Sequence, residues 1–199
     1  MLDAVNRVAR KLPTWLLYIV GFAVAAWTIY SAILTPDPAK VLERDLGSLG
    51  LQVLIASLCI TPLRWVGLNL VKFRRAVGLI GFMFVALHFL TWSVLDLGLR
   101  WSVILTDLTK RPYIIIGFVA FLALIPLALT SNNAAIKRLG ALRWKKLHLL
   151  AYPAILAGAV HFVMIGKVYT LESALYLAAV VGLLVVRRVK SRRASFGLV

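Results

Sequence analysis

Six runs of mainly apolar residues, at about 13–34, 48–70, 76–97, 112–130, 145–166 and 171–186, are separated by short stretches rich in Lys, Arg, Asp, Pro and Gly. Each run is near the ~20 residues that a helix rising ~1.5 Å per residue needs to cross a hydrocarbon core ~30 Å thick. The pattern predicts an all-α fold, an integral membrane bundle of six transmembrane helices. Loops between the runs are too short to fold separately, so one bundle is expected, with residues 1–12 as a basic lead, 13–188 as the membrane domain and 189–199 as a basic tail.

The breaks between runs have recognisable causes. Pro13 suits a first helical turn, and the apolar run after it continues to Leu34, past the length of a signal core, so a retained first helix is expected. Thr35-Pro36-Asp37-Pro38 stops it. The second span runs from Gly47 towards Leu70, with Leu63 as an alternative end beside Pro62 and Trp65–Val71 then lying along the interface. Between Gly98 and Arg111, Trp101, Val103, Ile104 and Leu105 predict a short helix on the membrane surface. Pro126 and Pro153 predict kinks in the fourth and fifth spans. The tail beyond Arg188 is expected to be disordered.

Composition agrees with membrane insertion: 62% of the 199 residues are hydrophobic and the mean hydropathy is +0.92. A net charge of +16 would suggest nucleic acid in a soluble protein, but its distribution excludes that reading. With the N-terminus inside, 17 Lys and Arg fall on the inner side and 6 on the outer, while six of the seven acids are outer. That asymmetry predicts both termini in the cytoplasm, and contact with anionic lipid accounts for the basic surface. Cys59 stands alone and no CxxCH is present, so a haem would be held non-covalently.

The candidate chemistry rests on three histidines, His88, His148 and His161, each in an apolar run. Spans three and five run in the same direction, and counting along them puts His88 and His161 at similar outer depth and His148 near the inner face. Two imidazoles facing each other across a gap between helices are the usual axial ligands of a low-spin b-type haem, so His88 with His161 is the expected pair. Gly81, Ala86, Ala157, Gly158 and Ala159 would let a flat macrocycle approach, although small residues also serve ordinary helix packing. On an ideal helix His148 and His161 lie about 20 Å apart along the axis and about 140° apart around it, so facing span three together requires a distortion, for which Pro153 is the candidate. No fourth histidine completes an inner site with His148. The residue at its depth on span three is Arg75, which cannot ligate iron and is instead a candidate partner for a haem propionate. A bare metal-ion site is disfavoured, since no ladder of carboxylates runs through the spans.

The blocks RRAVGLIGFMFVALHFLTWSVLDLG (Arg74–Gly98), DLTKRPYIIIGFVAFLALIPLALTS (Asp107–Ser131) and LGALRWKKLHLLAYPAILAGAVHF (Leu139–Phe162) resemble the MsrQ (formerly YedZ) family. These are haem-binding membrane subunits of periplasmic methionine sulfoxide reductase systems, within the ferric reductase-like transmembrane superfamily that includes the NADPH oxidases. The similarity runs from about Pro13 to Arg188. It implies a multi-pass protein of the bacterial inner membrane with one or two b-type haems on His88, His148 and His161, and FMN. It also implies electrons drawn from the quinone pool or a cytosolic flavin reductase and passed to the molybdopterin subunit MsrP, the chain itself being a non-catalytic electron-transfer subunit. The sequence departs from the family at Arg44-Asp45-Leu46-Gly47, where a His-x-Thr-Gly pattern is frequent, and at Met164, where an aromatic is common. No Gly-rich nucleotide fingerprint occurs, so the donor must be another protein or molecule. Three other readings stay open: a self-contained ferric reductase or quinone-linked cytochrome b, a small transporter using the histidines as a proton relay, and a structural anchor for an outer enzyme.

Overall fold

A computed structural model describes residues 2–166 and 170–195, with backbone alone considered for 191–195. Lys167, counted above among the outer cations, lies outside the described residues. The described residues form ten α-helices and no strand: α1 (Leu2–Lys11), α2 (Trp15–Ile33), α3 (Pro38–Trp65), α4 (Arg74–Leu90), α5 (Trp101–Lys110), α6 (Pro112–Leu129), α7 (Asn133–Leu139), α8 (Ala141–His148), α9 (Ala151–Ile165) and α10 (Leu171–Ser195). Five segments are long and apolar enough to cross a membrane: Trp15–Ile33, Pro38–Trp65, Val71–Asp96, Pro112–Leu129 and Ala141–Ile165. The sixth expected span falls within α10, which is not among those five.

Helix α3 is the axis of the bundle. One of its faces closes a core with α2 and α4 through Leu42, Leu46, Ala25, Ala32, Ile80 and Phe84. The opposite face closes a second core with α6, α9 and α10 through Leu51, Leu54, Leu58, Leu124, Ile155, Ala159 and Val180. The two most extensive helix interfaces are α3 with α4 and α6 with α9. Large side chains on the outer faces, among them Phe22, Trp27, Ile33 and Leu129, stay exposed, as they must if lipid is their solvent.

Three boundaries differ from expectation. Helix α3 begins nine residues before Gly47, because Pro38 sits in its first turn and Asp37 caps it, its carboxylate accepting from Lys40 N at 3.3 Å. Lys40 Nζ also donates to that carboxylate at 2.7 Å, which holds the Asp37 carboxyl below its ordinary range. The fifth span is split at Leu149–Leu150 into α8 and α9: Pro153 has no N–H for the Leu149 carbonyl, which accepts from Tyr152 N instead. The expected disorder after Arg188 is not found up to Ser195, since Arg-Arg-Val-Lys-Ser-Arg-Arg-Ala-Ser contains no helix breaker and α10 simply continues.

The lead folds as α1, with Leu2, Val5, Val8 and Leu12 on one exposed apolar stripe and Arg7, Arg10 and Lys11 opposite. Its position is set by the α3–α4 turn. Asn6 Nδ2 donates to Gly67 O at 2.8 Å, Asn6 Oδ1 accepts from Asn69 N at 2.9 Å, and Lys72 Nζ donates to Arg10 O and Leu12 O at 2.8 and 2.7 Å. Asn6→Ala removes two of these bonds and is expected to make the α1–α2 junction cleave faster in limited proteolysis, with cofactor content unchanged.

Candidate functional site

His88 sits near the end of α4, on the face that packs against α3. Its Nδ1 is 2.7 Å from the carbonyl oxygen of Glu43. His161, on α9, meets α6 in the same way, with Nδ1 2.7 Å from the carbonyl oxygen of Tyr113. A carbonyl can only accept, so Nδ1 carries the proton in both rings and each Nε2 keeps its lone pair. Among the described residues neither Nε2 has a hydrogen-bond partner. The two rings lie with centroids 6.3 Å apart and planes at 71°.

That spacing suits a shared metal. Two in-line metal–nitrogen bonds of about 2 Å, with ring centroids about 1 Å behind each nitrogen, put the centroids about 6 Å apart. A bare ion would need further ligands, and no group of three His, Cys, Asp or Glu able to hold one occurs among the described residues. The donor set therefore fits a metal whose equatorial positions come from elsewhere, as in a haem with two axial imidazoles.

The Tyr113 ring lies beside His161 with centroids 6.3 Å apart, and a separate aromatic stack joins α4 to α6. Phe89, next to His88, stacks on Phe121 (4.7 Å) and Phe118 (5.9 Å) of α6, and Phe82 stacks on Phe121 at 6.1 Å. Beyond Leu90 the helix widens into a π turn, Thr91–Asp96, which buries Trp92 with Leu97 and with Ile104 of α5. Such turns are frequent beside functional sites. The expected surface helix is α5, and Asp107 at its end pairs with Arg111 at 3.3 Å just before Pro112 opens α6 and Tyr113 presents its carbonyl.

Three of the five small residues expected to admit a macrocycle have other neighbours. Gly81 faces Leu54, Gly158 faces Leu51 and Ala159 is wholly buried in the α9 core, which is ordinary helix packing. The glycines that meet the histidines are Gly47 and Gly117, neither of which the sequence tied to a histidine. Gly47 is the residue that keeps the family's His-x-Thr-Gly pattern where Arg44 and Leu46 break it. Met164 is exposed on α9, as suits a side chain that does not ligate.

His148 is not brought to the pair. It closes α8 at the other end of the span, stacked on Trp144 with centroids 3.9 Å apart, and its Nε2 lies 3.1 Å from Thr130 Oγ1. Trp144 Nε1 donates to Thr130 O at 2.8 Å, so His148, Trp144 and Thr130 form one knot between α6 and α8. Arg75 donates through one terminal nitrogen to Asn133 Oδ1 at 2.9 Å and lines a cleft of about 160 Å³ with Thr14, Tyr18 and Lys72.

Residues 46–159 match the family model described as ferric reductase like transmembrane component. The protein-methionine-sulfoxide reductase heme-binding subunit MsrQ of Brucella anthropi is 46% identical over 180 residues, covering 88% of this chain and 81% of that one. The subunits of the same name from Brucella ovis and Brucella melitensis are each 46% identical over 177 residues, covering 87% of this chain and 80% of theirs. No solved structure matches the chain.

Proposed function

The chain belongs to the ferric reductase-like transmembrane family, and from that premise we propose that it is a multi-pass electron-transfer subunit that grips b-type haem between His88 and His161. The observation that carries the proposal is the ring pair itself: centroids 6.3 Å apart, each Nδ1 tied to a helix carbonyl and each Nε2 unclaimed. Haem would supply one-electron chemistry. The chain supplies the two Nε2 ligands and the carbonyls of Glu43 and Tyr113 that hold the rings in one tautomer.

A second haem on His148 would require its Nε2 to give up Thr130, while Arg75, bonded to Asn133 through one nitrogen, keeps further donors for a propionate. The geometry favours one haem. FMN is part of the proposal through the family alone, with no residue assigned to it. We place residues 13–188 in the bacterial inner membrane as six spans, α10 being the sixth, with residues 1–12 and 189–199 in the cytoplasm. The support is the excess of Lys and Arg on one side.

In this reading electrons come from the quinone pool or a cytosolic flavin reductase and leave from the His88–His161 end to a periplasmic methionine sulfoxide reductase subunit, MsrP. The relatives' names support such a partner. Purified protein reduced with dithionite is expected to be reoxidised several-fold faster by MsrP with methionine sulfoxide than by ferric citrate. Equal rates would favour a self-contained ferric reductase, and a preparation without a Soret band after expression in haem-sufficient cells would end the proposal.

A further inference from the structure

In an α-helix the carbonyl of residue i points at the N–H of residue i+4 and retains a second lone pair at its side. Access to that lone pair is narrow, because the Cβ of residue i+4 leans back towards the N-terminus over it. His88 bonds the carbonyl of Glu43, and the residue four further on is Gly47. His161 bonds the carbonyl of Tyr113, and the residue four further on is Gly117. Two helix pairs, α3 with α4 and α6 with α9, thus repeat one construction.

The space each glycine leaves is filled by an imidazole. A Cβ at residue 47 would lie 2.9 Å from His88 Nδ1 and 3.1 Å from Cε1. At residue 117 it would lie 2.7, 2.8 and 2.9 Å from His161 Nδ1, Cε1 and Cγ. Ordinary contact begins at 3.4 Å, so either side chain would have to push the ring away from the carbonyl it bonds.

We propose that Gly47 and Gly117 are positioning residues: by leaving the Glu43 and Tyr113 carbonyls uncovered they seat each imidazole through Nδ1–H and thereby tune its strength as an iron ligand. The proposal rests on the haem-pair reading above. A bonded Nδ1–H makes the ring a more basic ligand, and a more basic ligand favours ferric iron. Uncoupling a ring from its carbonyl should therefore raise the midpoint potential.

The test uses the haem-loaded full chain and the variants Gly47→Ala, Gly117→Ala and Gly21→Ala. The last crowds Ile80 Cγ2 at 2.9 Å in the α2–α4 interface and touches no imidazole, so it is the control for crowding alone. Expected are a more positive potential and altered low-spin EPR g-values for the first two, larger for Gly117→Ala, where the overlap is deeper, and wild-type values for Gly21→Ala. Haem retention in the first two should fall about tenfold, as for other losses of a ligand's supporting bond. Wild-type potential and g-values in folded Gly47→Ala and Gly117→Ala would overturn the proposal, and so would an equal shift in Gly21→Ala. A measurement on the wild type covers variants that do not accumulate: paramagnetic NMR should find both axial Nδ1 protons slow to exchange with D₂O, and fast exchange overturns the assignment. Failure of the haem-pair reading looks different, as a wild-type spectrum that does not depend on His88 and His161.

Discussion

His88→Ala and His161→Ala are each expected to abolish the low-spin haem spectrum and to lower haem content by at least about tenfold, the scale set by losing even a supporting contact. The reason is symmetry: in the proposed site the two imidazoles, 6.3 Å apart, come from two helix pairs, and removing either would leave a haem iron held from one side only. Misfolding is not expected to cause the loss. The Glu43 and Tyr113 carbonyls keep the N–H groups of their own helices, so truncation strands no buried acceptor, and it leaves a void lined by Gly47 or Gly117. Added imidazole should enter that void and restore a low-spin spectrum in both variants. His148→Ala is expected to keep the wild-type spectrum, since His148 is engaged with Thr130 and Trp144. Loss of the low-spin signal in His148→Ala with retention in His88→Ala would sink the assignment.

Arg187→Met is expected to lower stability by about 1–3 kcal/mol, and Pro62→Ala in the same chain to restore most of it. Pro62 lies inside α3 and has no N–H to offer the Leu58 carbonyl one turn earlier. Arg187 of α10 fills the gap: one terminal nitrogen donates to Leu58 O and the other to Tyr152 Oη of α9 at 3.0 Å, with the guanidinium 5.4 Å from the Tyr152 ring centre. The side chain ties together two helices that each carry a proline. In a membrane interior the freed carbonyl finds no water, so losing Arg187 leaves it unsatisfied. Alanine at residue 62 supplies the missing N–H and makes the arginine dispensable. Thermal unfolding in detergent of the two single variants and the double variant measures the coupling, and strictly additive effects would refute it. Arg187 Nε is buried without a partner, which limits how much the guanidinium contributes.

Much of the site was legible because depth in a membrane is a one-dimensional quantity. Each residue advances ~1.5 Å along a helix, so counting from the charged ends gave His88 and His161 a common level on spans of the same direction. The structure brings their rings together. Rotation about the helix axis is not legible in the same way. His148 and His161 would lie about 140° apart on an ideal helix, and the break at Leu149–Leu150 settles their facing by making two helices of one span. Gly47 and Gly117 left a faint signal, since glycine inside an apolar helix costs up to about 1 kcal/mol relative to alanine and is retained where backbone or ring must come close. Nothing in the local sequence says which ring.

The helical class, the order of the main apolar segments and the imbalance of cations follow from the chain alone, because hydropathy, prolines and charge act through neighbours a few residues away. The partners follow from tertiary packing: Glu43 O for His88, Tyr113 O for His161, Thr130 for His148, Asn133 for Arg75 and Leu58 O for Arg187. Each of these contacts depends on how two helices are turned towards each other. That is decided by which small side chains let their backbones meet, a property of pairs of helices that no single stretch of sequence carries.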